Sequence, residues 1–326
     1  MNRRKFITLL SGVSVSYLAA SVQSAEPMRR IGVLMSIADD DEGQARINAF
    51  RQKLKELGRL EGRDVLLDMC WADGDTDRAA ACAAELVRST PDVILSSGPE
   101  SLVALRQQTF QISVVFVQIG APVESGIASS LAHPGGNVTG SAAFEHSFAS
   151  KWIELLKQIA PGVSRVGVLR NLAAFTQSGY LRTIEATAAS LGMQVVVRDA
   201  NNLAEIDSSM DALARESHGL IVLPSSLASM HRELIVSLAN RYKIPAIYVY
   251  RFFTASGGLL SYGNSVPETF RQAATQVDRI LRGTRAGELP IQFSPKFELV
   301  INLRTAKALG LDVPRPLLVR ADEVIE

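Results

Sequence analysis

The sequence predicts an α/β protein of two Rossmann-like lobes, each built on a parallel sheet covered by helices. Short, near-continuous apolar runs alternate with longer amphipathic segments, and the order of the first half returns in the second. Strands buried on both faces read as such runs, and their alternation with helices implies parallel pairing. The length, 326 residues, suits two domains.

Residues 1–25 read as a targeting segment. Arg3, Arg4 and Lys5 give a positive start, an apolar stretch runs from Phe6 to Ala20, and small residues precede Glu26-Pro27. The apolar part is short and carries serines, which fits a secretory signal rather than a membrane span. Arg-Arg-Lys-Phe-Ile also resembles a twin-arginine signal, and both export routes stay open. With no cysteine nearby for a lipid, a soluble mature chain outside the cytoplasm, in the periplasm, is expected.

Residues 30–35 form the first strand. A helix over 41–57 follows, with Ala45, Ala49, Leu54 and Leu57 on one stripe and Gly58 as its stop. Residues 64–70 are the second strand and 75–88 an alanine-rich helix. Residues 92–95 are the third strand, Ser97-Gly98-Pro99 opens the next helix, and 112–118 is the fourth strand.

The pattern then repeats. Arg30-Ile31-Gly32-Val33-Leu34 returns as Arg165-Val166-Gly167-Val168-Leu169, and Leu57-Gly58 as Leu191-Gly192. The helix end at 84–88 with its strand at 93–95 returns at 211–215 and 220–222. Ile112-Ser113-Val114-Val115-Phe116-Val117 returns as Ile244-Pro245-Ala246-Ile247-Tyr248-Val249. The offsets of 135, 134, 127 and 132 residues preserve order while loops change length.

Composition allows a full core: 47% of residues are hydrophobic and 21% charged. Without residues 1–25, 31 Lys+Arg stand against 33 Asp+Glu, which does not favour nucleic acid. The two cysteines, Cys70 and Cys82, lie on an apparent strand and the next helix. An oxidising compartment permits a bridge, but the spacing does not establish one.

In open α/β sheets, ligands bind beyond the carboxyl ends of strands. This selects Ser36, Ser96-Ser97-Gly98 and Gln118-Ile119-Gly120 in the first half. In the second half it selects Arg170-Asn171, Pro224-Ser225-Ser226 and Tyr250-Arg251. Ser97 and Gly98 could hold a carboxylate with hydroxyl and amide donors, although an ordinary helix cap uses the same residue types. Arg170 would pair with an anionic group, with Asn171 beside it. Ser36, Gly120 and Ser225 complete the strand-end set. Tyr250 and Tyr262 belong to five rings within 248–262 and could stack on a planar ligand. Gly257-Gly258 is the expected second crossover, with Tyr262 at re-entry to the first lobe.

No phosphate loop, dinucleotide fingerprint, Gly-x-Ser-x-Gly, His-Glu-x-x-His or CxxC is present, and the four histidines are scattered. Neither cofactor nor metal is expected.

Further segments point to a family. They are Pro134-Gly135-Gly136-Asn137-Val138-Thr139-Gly140, His231-Arg232-Glu233, Gly257-Gly258-Leu259-Leu260-Ser261-Tyr262-Gly263, and the runs 296–311 and 320–326. With these the chain resembles the ABC transporter substrate-binding family that includes tryptophan- and tyrosine-binding members. The resemblance implies a periplasmic-binding-protein type I fold, three crossovers, no catalytic activity, a small-molecule ligand (amino acid, aromatic or carboxylate), ABC permease partners and a monomer. It implies lobes at 29–142 plus 259–292 and at 143–258 plus 293–326. Similar proteins often carry Asp-Pro-Val where this chain has Ala121-Pro122-Val123, and Asn-Pro where it has Asn171-Leu172. A sensory protein presenting ligand to a membrane receptor, or an exported enzyme, are the alternatives.

Overall fold

The predicted apolar runs become strands, and those inside each sheet are sealed: Val33, Ile94, Val115 and Val168 expose none of their surface, while the edge strand at 65–71 is only half-buried. The computed structural model describes residues 28–294 and 296–326, so the signal expected at 1–25 lies outside the described residues. The chain runs β1 (Arg29–Met35), α1 (Asp41–Glu56), β2 (Val65–Trp71), α2 (Thr76–Arg88), β3 (Val93–Ser97), α3 (Pro99–Gln108), β4 (Ser113–Ile119) and β5 (Val138–Ala142). It continues through α4 (Ala149–Ile159), β6 (Arg165–Arg170), α5 (Gln177–Ser190), β7 (Gln194–Asp199), α6 (Leu203–Glu216), β8 (Gly219–Val222), α7 (Ser226–Met230), α8 (Arg232–Arg241), β9 (Ala246–Tyr248) and α9 (Arg251–Ala255). The last part is β10 (Leu260–Asn264), α10 (Val266–Leu281), β11 (Gln292–Phe293), β12 (Phe297–Asn302), α11 (Leu303–Ala308), α12 (Arg315–Arg320) and β13 (Glu323–Ile325).

Two sheets form, in the orders β11-β5-β4-β3-β1-β2 and β13-β12-β10-β9-β8-β6-β7. All pairs are parallel except β10 with β12. The central order second-first-third-fourth-fifth strand is common to both sheets, the structural counterpart of the sequence repeat. Helix starts are fixed locally: Asp40 and Asp75 accept from the Gly43 and Arg78 amides, satisfying donors that the first turn leaves open.

The chain crosses between the sheets three times, after β5, after β10 and after β11. The second crossing differs from expectation. β10 pairs parallel with β9 and antiparallel with β12, so Gly257-Gly258 and Tyr262 remain with the second sheet. The crossover is the junction between β10 and α10, and the boundary expected at residue 259 moves there. The physical reason is a fifth repeat pair: Gly135-Gly136 leads into β5 as Gly257-Gly258 leads into β10. α10 then returns to the first sheet, where Gln276 Nε2 donates to the Gly140 carbonyl at 2.9 Å.

Cys70 on β2 and Cys82 on α2 are joined by a disulfide across Cα atoms 5.8 Å apart. It is the alternative that the spacing left open.

Candidate functional site

Strand ends of both sheets meet at one cleft, with about 480 Å³ of atom-free space that is in part open to solvent. Ser36 after β1, Ser97 and Gly98 after β3, and Gln118 and Gly120 at the end of β4 line one wall. Tyr180 of α5, Ser225 and Ser226 after β8, and Tyr250 after β9 line the other. Six of the residues singled out from sequence (Ser36, Ser97, Gly98, Gly120, Ser225 and Tyr250) therefore lie around one space.

Local chemistry shapes each wall. The Ser36 hydroxyl donates to the Ser97 carbonyl and lies 2.8 Å from the Ser101 hydroxyl. Gly98, at φ 92°, caps α3 in a conformation that favours glycine. A Cβ on Gly120 would lie 1.7 Å from Tyr180 Oη, so glycine lets that ring reach the cleft. Tyr180 Oη donates to the Phe144 carbonyl at 3.2 Å. Burial holds the phenols of Tyr180 and Tyr250 above their ordinary range, so both stay neutral donors. Ser225 caps α7 by accepting from the Ala228 amide at 3.0 Å. Ser226 reaches across the cleft to donate to Glu100 Oε2 at 3.0 Å.

Two lining groups lack partners. Arg46 of α1 is 4% exposed, and its Nε donates to Glu42 Oε1 at 2.9 Å. Its Nη2 is buried and makes no hydrogen bond to the described residues. Gln118 sits at φ 62° where the β4–β5 register shifts, and its Nε2 donates to Thr269 Oγ1 at 2.8 Å. Thr269 donates its own proton to the Val266 carbonyl, so the nitrogen of Gln118 must face it. Gln118 Oε1 is thereby left buried and unpaired.

The other three predicted residues stand elsewhere. Arg170 and Asp199 are register partners at the ends of β6 and β7. Their bidentate pair, at 2.6 and 3.0 Å, directs the guanidinium along the sheet instead of into the cleft and raises its pKa further. Asn171 is consumed locally: its Nδ2 donates to the Ala200 carbonyl, and its backbone amide donates to Gln177 Oε1, both at 2.8 Å. These two residues edge a separate hollow of about 200 Å³. Tyr262 lies in β10, stacked on Phe148 with centroids 5.0 Å apart and tilted against Phe297.

A family model described as an ABC transporter substrate-binding protein matches residues 30–325. The chain belongs to that family. A tyrosine-binding protein of Clostridioides difficile is 24% identical over 287 residues, covering 88% of this chain and 82% of its own. The Streptococcus pneumoniae ABC domain in complex with L-Trp has a TM-score of 0.86 at 22% identity, covering 91% of this chain and all of its own. A ligand-free, open substrate-binding protein with adhesive properties from Clostridium difficile scores 0.67, also at 22% identity, covering 92% of this chain and 99% of its own. The type I periplasmic-binding fold is thus the fold of this chain, and its family comprises substrate-binding proteins, not enzymes. Among the described residues no helix is long and apolar enough to cross a membrane.

For this substrate-binding protein, Gln118 is a strand-end residue that the sequence selects, whereas Arg46, Phe144 and Tyr180 are lining residues that the strand-end argument does not single out. Arg46 had a readable signal: it falls in line with Phe50 and Leu54 at helical spacing, a cation on the buried stripe of α1. Tyr180 had none, because it arrives from a helix and not a strand end.

Proposed function

We propose that the protein is the solute-binding component of an ABC importer, exported by its N-terminal segment to the periplasm. It captures one small molecule in the cleft and delivers it to membrane permease subunits. The observation that carries this is a cleft walled by both lobes, two of whose lining residues hold an unpaired buried donor, Arg46 Nη2, and an unpaired buried acceptor, Gln118 Oε1. Buried polar groups without partners are uncommon, and a ligand in the cleft would satisfy these two from the first-lobe wall while the second lobe closes over it. The better overlap with the L-Trp-bound structure than with the open one, and the Ser226–Glu100 hydrogen bond across the cleft, support a closed state here. The ligand drives closure because it gains contacts in that state that the open one lacks.

The test is a thermal-shift screen over amino acids, aromatic acids, small carboxylates and sugars. At one hundred times its Kd a ligand adds about 2.7 kcal/mol of stability, a rise of several degrees in Tm. Failure of every class to raise Tm would sink the proposal.

A further inference from the structure

The two unpaired groups also specify chemistry, on the basis of the solute-binding reading above. Arg46 offers a buried guanidinium N–H, a donor suited to an anionic oxygen. Gln118 offers a neutral carbonyl oxygen, an acceptor for one hydroxyl or N–H. Phe144, Tyr180, Pro99 and Pro224 supply an apolar body to the walls. Among the described lining residues there is no carboxylate.

The two nearby carboxylates are already occupied. Glu42 accepts from Arg46 Nε, and Glu100, on the first-lobe side, accepts from Ser226 across the cleft. An ammonium group brought into this space would lose water, meet a guanidinium, and find no counter-charge on the walls. Burying such a charge without a partner is costly.

We propose that the cleft takes a carboxylate-bearing solute without an ammonium group, its carboxylate on Arg46 Nη2 and a hydroxyl or N–H on Gln118 Oε1. The chain would then differ in ligand class from its tyrosine- and tryptophan-binding relatives. Arg46 sets the preference for an anion, and Gln118, by being neutral, withholds the charge that an amino acid requires.

The experiment uses matched triads on 4-hydroxyphenyl, phenyl, indolyl and branched aliphatic scaffolds. Each triad holds an acid, the corresponding α-amino acid and the corresponding amine: for example 3-(4-hydroxyphenyl)propanoate, L-tyrosine and tyramine. Titration calorimetry with the full mature chain should find an acid bound at least tenfold more tightly than its amino acid, with the amine silent. Glu42→Gln/Arg46→Met, which removes the ion pair as a unit, should weaken the acid at least thirtyfold. Gln118→Glu should move the preference at least tenfold toward the amino acid, a gain that misfolding cannot mimic. An amino acid or amine matching the acid, or an unmoved preference in Gln118→Glu, overturns the proposal. So does silence from every triad; binding of a sugar or other neutral solute would then leave the solute-binding reading standing.

Discussion

Glu100 occupies the second position of α3, where a carboxylate ordinarily gains from the helix N-terminus. Here burial outweighs that gain and lifts its carboxyl above the usual range. Its own backbone amide and the hydroxyls of Ser226 and Ser36 pull the other way. An acid with a raised folded pKa keeps its proton after the unfolded chain has released its own. Its contribution to stability is therefore full below about pH 4.3 and declines as pH rises toward the folded value. Gln at this position has no proton to release. The Tm of the native chain minus that of Glu100→Gln should fall steadily as pH is raised from 4 to 7. A difference that stays flat across that interval would remove burial as the dominant influence on Glu100. The same residue shows why side-chain detail was hidden from the sequence: nothing in Ser97-Gly98-Pro99-Glu100 announces that Ser226, 126 positions later, will close over it.

At the level of elements, sheet order was legible because apolar runs and their repeat report directly on strand burial. Boundaries were less so. Gly257-Gly258 looked like a hinge, since glycine pairs break regular structure. In the fold Gly258 allows close packing instead, since a Cβ there would lie 2.5 Å from the Tyr248 ring, and Gly257 supplies a turn at φ 101°. Arg170 misled for a related reason. Its position at a strand end was read correctly, but the register partner Asp199 came from a strand whose alignment the sequence does not print. The disulfide joining β2 to α2 is likewise a matter of geometry. It closes a loop of sequence separation 12, and in the chain-entropy description such a loop restricts the unfolded state by about 3 kcal/mol. Replacing both cysteines with alanine should lower the unfolding free energy in guanidinium by about 2–3 kcal/mol while leaving ligand affinity unchanged. A loss under 1 kcal/mol would mean that the bridge constrains little that the fold does not already hold.

For the whole molecule, the interlobe contacts would place the proposed closure under direct side-chain control. Arg232 of α8 donates to Asp40 Oδ2 at 3.3 Å, joining the second sheet's helices to the cap of α1. Its guanidinium also stands 5.9 Å from the Phe252 ring centroid. Neither Arg232 nor Asp40 lines the cleft, so the pair acts on the balance between open and closed states and not on ligand contact. A partly exposed ion pair is worth about 0.2–1 kcal/mol. In the proposed cycle ligand binding selects the closed state, and apparent affinity scales with the population of the competent form. Arg232→Ala should therefore raise the apparent Kd by up to about fivefold at low salt. Screening weakens the native pair at high salt, so the difference between native and variant should shrink near 1 M sodium chloride. Small-angle scattering should find the unliganded variant at least as extended as the native chain, and both equally compact when saturated. An affinity loss of the same size at both salt concentrations would assign Arg232 to packing against Phe252. An unchanged affinity at low salt would show that closure is governed by the ligand and the Ser226–Glu100 contact without this pair.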